Sequence, residues 1–90
     1  LFLSLLWENI IRGSEYMYLK RLRDLREDKD KYQVDIAKYL KITRQQYSLY
    51  ETGKRDIPID LLNMLADYYN TSIDYIVDRT DEKKTYPKKN

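Results

Sequence analysis

Gln33-Val34-Asp35-Ile36-Ala37-Lys38-Tyr39-Leu40-Lys41-Ile42-Thr43-Arg44-Gln45-Gln46-Tyr47-Ser48-Leu49-Tyr50-Glu51-Thr52-Gly53-Lys54-Arg55 decides the fold of this chain. In its first eight residues Ile36, Ala37 and Leu40 fall on one side of a short helix. Lys41-Ile42 leaves room only for a tight turn. Thr43 then offers an N-cap hydroxyl with Gln46 three residues later, the capping-box pattern that starts the next helix at a defined place. Inside that helix Tyr47 and Tyr50 share a face that reads as core rather than as a base-stacking platform, while Arg44, Gln45, Ser48 and Leu49 point elsewhere. Gly53 ends it, because glycine takes the left-handed closing conformation without a side-chain clash.

The pattern continues on both sides. Upstream, Leu19, Leu22 and Leu25 recur every three residues among Lys20, Arg21, Arg23, Arg26 and Glu27, which predicts a helix to about Asp28 with a basic outer face. Asp28 to Lys31 is a polar connector. Downstream, Lys54 to Pro58 forms a basic loop, and Pro58 stands near the start of a fourth helix whose stripe is Leu61, Leu62, Leu65, Ala66 and Tyr69, running to Asn70. Thr71 or Ser72 can cap a short fifth helix containing Ile73, Ile76 and Val77. The expected division is a domain over 17–79 and a flexible charged tail over 80–90, which has too few apolar residues to offset the entropy of ordering it.

Residues 1–16 stand apart. Leu1 to Ile11 is apolar but lacks a basic start and cleavage spacing, and with Glu8 inside it is too short to span a bilayer. Two readings stay open: an extra amphipathic helix carrying Leu3, Leu6, Trp7 and Ile10 that packs on the domain or on a second subunit, or a stretch that is not naturally translated, with translation starting at Met17.

Composition narrows the chemistry. Ninety residues make one domain, and with no Cys and no His the usual zinc ligand sets, thiol nucleophiles and imidazole acid/base pairs are missing. No catalytic constellation is expected, and no metal or cofactor. Two Gly and two Pro, against 42% hydrophobic and 36% charged residues, point to an all-α domain. The net charge of +2 conceals a division: residues 20–55 hold eleven basic and six acidic side chains, whereas residues 56–78 hold five acidic and no basic ones. A basic half of this kind can neutralise phosphates, while the acidic half faces away or toward another protein.

Five short helices with the second and third joined by a tight turn form a helix-turn-helix layout. The string over 33–55 resembles the xenobiotic-response-element family of phage-repressor and Cro-like DNA-binding domains. The likeness extends from Leu19-Lys-Arg-Leu-Arg-Asp-Leu-Arg-Glu27 to Ser72-Ile-Asp-Tyr-Ile-Val77, covering roughly residues 18–78. It implies a compact five-helix lambda-repressor-like fold. Asp30, Lys31 and Tyr32 depart from the family pattern, with Tyr32 expected to fill an apolar slot, and Lys41 stands where Gly is common.

The resemblance implies that the third helix enters a major groove while the second lies across its rim. Arg44 and Gln45 are then the base readers, Arg suited to guanine and Gln to adenine. Ser48 and Leu49, one turn later, meet a phosphate or a thymine methyl. Gln33 resembles the family position that grips a phosphate together with a helix N-terminus, and Thr43, Gln46, Lys54 and Arg55 complete the backbone contacts. Arg26 and Glu51 match a pair that forms a buried salt bridge in some relatives. The expected partner is double-stranded operator DNA, bound by a homodimer on an inverted repeat, with Tyr68, Tyr75, Ile76 and Val77 as the dimer surface. The expected role is a cytoplasmic repressor rather than an enzyme or a membrane protein. The second class considered is an antitoxin that binds a partner toxin and represses its own operon.

Overall fold

Helices this short are unstable alone in water, so their ends and their packing decide where they lie. The computed structural model describes residues 19–85 and 87, and the expectations for residues 1–16 fall outside the described residues. The helices are α1 (Lys20–Asp28), α2 (Gln33–Leu40), α3 (Arg44–Glu51), α4 (Ile59–Tyr68) and α5 (Ile73–Ile76). No strand occurs among the described residues.

Local chemistry sets the starts. The Tyr32 amide donates to the Asp35 carboxylate at 2.8 Å ahead of α2. At α3 the capping box is reciprocal: the Gln46 amide donates to Thr43 Oγ1 at 3.1 Å, and the Thr43 amide donates to Gln46 Oε1 at 3.0 Å. Pro58 precedes α4, and of the two candidate caps for α5 it is Ser72 whose Oγ accepts from the Tyr75 amide at 3.0 Å.

All five helices end alike. Asp30, Lys41, Gly53, Asn70 and Asp78 are left-handed, with φ of 55°, 60°, 76°, 52° and 66°. In each case the next amide donates to a carbonyl five residues back, as Ile42 does to Ala37 and Lys54 to Leu49. Only Gly53 is a glycine. Lys41 adopts a conformation that costs a residue with a Cβ about 1 kcal/mol more than Gly.

The helices close around one core of Leu19, Leu22, Leu25, Ile36, Ala37, Leu40, Tyr47, Leu62, Leu65, Ala66, Tyr69 and Ile76. Fully burying an aliphatic side chain contributes roughly 1.5–3 kcal/mol, so Leu22, Ile36, Leu65 and Ile76 are principal contributors. α2 packs on α3, α1 on α3 and α5, and α4 on α5. Two expectations need correction. Ile76, expected on the dimer surface with Tyr68, Tyr75 and Val77, is 1% exposed and belongs to the core, because α5 has one turn and spends it on packing against α1 and α4. Tyr32 fills no apolar slot: it is 75% exposed, and its backbone rather than its ring serves α2.

The segment expected as a loose tail is tied down at its root. Arg21 of α1 donates to the carbonyls of Tyr75 (2.8 Å) and Thr80 and to Asp81 Oδ1 (2.6 Å), pairs with Asp78 at 3.1 Å, and lies 4.1 Å from the Tyr75 ring centroid. Thr71 Oγ1 donates to the Lys83 carbonyl at 2.6 Å. No helix among the described residues is long and apolar enough to cross a membrane.

Candidate nucleic-acid interface

α2 and α3 each begin with a polar residue, and the fold brings those two residues together: Arg44 Nη1 donates to Gln33 Oε1 at 3.2 Å. The N-terminal ends of the two helices therefore converge. Free amides and the positive end of the helix dipole occur at each, so the shared surface favours an anion such as a phosphate.

The side chains around this point are available. Arg44 and Gln45 are exposed on the first turn of α3, and Lys41, Lys54 and Arg55 are exposed at its two ends. None of these four basic residues has an ion-pair partner among the described residues. Thr43 and Gln46 are exposed but not idle, since each accepts a hydrogen bond in the capping box. Acceptance leaves the Thr43 hydroxyl proton and the Gln46 carboxamide protons for a phosphate oxygen, so capping and phosphate contact are compatible. Ser48 and Leu49 are half-buried, one turn on.

Beneath the surface lies a buried ion pair. Arg26 Nε and Nη2 donate to Glu51 Oε2 and Oε1, both at 2.9 Å, so the last residue of α3 is forked to α1. Arg26 Nη1 also donates to the Lys31 carbonyl at 2.9 Å, which steadies the connector before α2. Gln33 Nε2 donates to Glu51 Oε1 at 3.2 Å. Burial opposes ionisation of Glu51, but hydrogen bonds including those from Arg26 and Gln33, with the Arg26 charge, outweigh it and hold the carboxyl below its ordinary value. Burial, with the Glu51 charge, pushes the Tyr47 hydroxyl well above the usual phenol range. That pair and the Gln33 bond to Arg44 make one polar chain from α1 through α3 and α2 to the surface.

Of the expected site residues, Gln33, Arg44, Gln45, Thr43 and Gln46 sit together at the converging helix starts, and Lys54 and Arg55 follow at the far end of α3. Tyr68, Tyr75 and Val77 are half-buried and pack against the core. Tyr68 lies against Tyr39 and Tyr69, with ring centroids 4.7 and 5.0 Å apart, and Tyr75 lies under Arg21. Sequence reasoning missed the double engagement of Gln33, assigning it a phosphate alone, and missed Arg21 altogether. No spacing signals a guanidinium whose carbonyl and carboxylate partners lie more than fifty residues away. Among the described residues no cluster of acidic side chains could hold a metal.

A family model described as helix-turn-helix matches residues 22–76. Three Bacillus subtilis (strain 168) proteins are similar. The HTH-type transcriptional regulator AnsR is 37% identical over 71 residues, covering 79% of this chain and 61% of its own length. The uncharacterized HTH-type transcriptional regulator YobD is 36% identical over 66 residues, 73% of this chain and 59% of its own. The SPbeta prophage-derived uncharacterized HTH-type transcriptional regulator YonR is 34% identical over 64 residues, 71% of this chain and 59% of its own. The chain thus spans about three fifths of the length of these curated relatives. No solved structure matches it significantly.

Proposed function

The chain belongs to the helix-turn-helix family of xenobiotic-response-element type, and from that premise we propose that it is a sequence-specific double-stranded DNA-binding transcriptional regulator. The observation that carries this reading is the convergence of the α2 and α3 N-termini at Gln33 and Arg44, flanked by exposed basic side chains with no ion-pair partner among the described residues. A phosphate at that point positions the protein, and α3 then presents Arg44 and Gln45 to base edges in the major groove. Ser48 and Leu49 reach the groove wall, and Lys54 and Arg55 hold the backbone beyond. The relatives' names as transcriptional regulators support the same direction.

The protein acts as a homodimer on an inverted repeat, with half-sites about one helical turn, roughly 34 Å, apart, because a single small domain buries too little surface for tight specific binding. With Ile76 assigned to the core, the surface for that dimer is Tyr68, Tyr75 and Val77. Occupancy of a promoter makes repression the favoured outcome.

Selection of bound fragments from a random double-stranded pool tests this. A recurrent inverted repeat is expected, with affinity falling as salt rises in proportion to the phosphates contacted. Arg44→Ala should relax one base position per half-site, worth roughly 1–3 kcal/mol of discrimination. Gln33→Ala and Lys54→Ala should weaken binding to all sequences. Recovery of no consensus, or binding insensitive to salt, refutes the reading.

A further inference from the structure

A glutamine carboxamide has two faces of nearly the same shape, one that accepts hydrogen bonds and one that donates them. At Gln33 the neighbours leave no choice between them. On one side stands Glu51, whose ionised carboxylate can only accept; on the other stands Arg44, whose guanidinium can only donate. Nε2 must face Glu51 and Oε1 must face Arg44. Glu51 is itself immobilised, 3% exposed and forked to Arg26 by two hydrogen bonds of 2.9 Å. The fixed end of the chain is in the core, and the free end is the exposed Arg44 guanidinium.

We propose that Glu51 is a positioning residue for base reading: through the Gln33 carboxamide, the buried Arg26–Glu51 pair orients the Arg44 guanidinium before DNA arrives. This rests on the reading of Arg44 as a base contact. Arg44 spends a single Nη1–H on Gln33, so two adjacent N–H groups remain as a fork for guanine O6 and N7. The second Nε2 proton of Gln33 stays available to a phosphate, so positioning and backbone contact proceed together. The chain leaves less side-chain freedom to be lost when Arg44 engages its base, and preorganisation of that kind appears as selectivity for the base that fits. A buried salt bridge that served only to join α1 to α3 would have no such effect.

The test is base selection from a randomised duplex pool by the full chain and three variants. Glu51→Gln keeps the shape and can still accept from Arg26, but its own amide can present either face to Gln33, so the core no longer dictates the flip and only the exposed Arg44 side chain favours it. The double replacement Arg26→Met with Glu51→Leu removes the pair and leaves an apolar contact, a change that folded proteins commonly tolerate. Arg44→Ala reports the base that Arg44 reads, with preference there falling about tenfold or more. Both pair variants should lose preference at that same base by about fivefold, with the other positions and the salt dependence unchanged. Unaltered preference in Arg44→Ala sinks the functional reading of Arg44 itself. Relaxation in Arg44→Ala with none in either pair variant sinks the positioning role alone. For the unaltered protein, NMR of the Gln33 carboxamide should show one flip with an amide proton against Glu51; equal population of both flips overturns the proposal without any variant.

Discussion

Two arginines five positions apart on α1 each reach a distant carboxylate, and the contrast between their settings separates a joint closed off from water from one whose carboxylates stand in it. Arg26 and Glu51 side chains are 12% and 4% exposed and meet at 2.9 Å through a fork. Arg21 makes as many contacts, but the carboxylates it meets, on Asp78 and Asp81, are 78% and 97% exposed. Water competes for the second pair at every moment and for the first hardly at all. Exposed ion pairs contribute little for that reason, whereas removing one partner of a buried pair strands a charge. The number of contacts is a poor guide to their worth here; the medium around them decides.

That contrast can be broken or sharpened by measurement. Glu51→Ala should lower unfolding free energy by about 3–5 kcal/mol, because the Arg26 guanidinium is left buried without its counter-charge; denaturant titration reads this directly. Acid acts on the same joint. Glu51 has a folded pKa below its unfolded value of about 4.3, so its contribution is fully present above that value and is lost as pH falls through the lower folded one. Thermal unfolding between pH 5 and 2 should therefore decline less steeply in the Arg26→Met/Glu51→Leu double variant than in the parent. Lys41→Gly sets an intermediate scale, since it relieves left-handed strain in the turn before α3 without touching either arginine. A gain of about 1 kcal/mol is expected in the same titration. Asp81→Asn should leave the unfolding midpoint where it was, and a shift comparable to that of Glu51→Ala would abolish the distinction between the two regions.

Much of this molecule was legible without coordinates, for identifiable reasons. The bounds of α2, the Thr43–Gln46 box and the closing role of Gly53 follow from local rules that act within four residues, and the structure has them at those places. The α4 and α5 stripes were legible because helical period and burial coincide there. Ile76 shows the limit. Periodicity says that a residue shares a face with its neighbours, but not whether that face meets the same chain or another one. Tyr32 shows a second: a large ring between polar residues suggests burial, yet the connector needed only its amide. At the candidate site, residue types and exposure were readable, but the dual bonding of Gln33 was not, because its two partners lie 11 and 18 positions away.

The sequence by itself determined an all-α domain, the positions of its helices, the division into a basic and an acidic half, and which side chains begin α3. These depend on backbone propensity, caps and composition, all of which act locally or sum without regard to shape. Only the tertiary structure decided that the starts of α2 and α3 converge, that Glu51 grips Gln33 as well as the expected Arg26, and that Arg21 pins the residues after α5. Those are encounters between segments far apart along the chain, and their geometry exists only once the core of Leu22, Ile36, Tyr47, Leu65 and Ile76 has fixed the helices against one another.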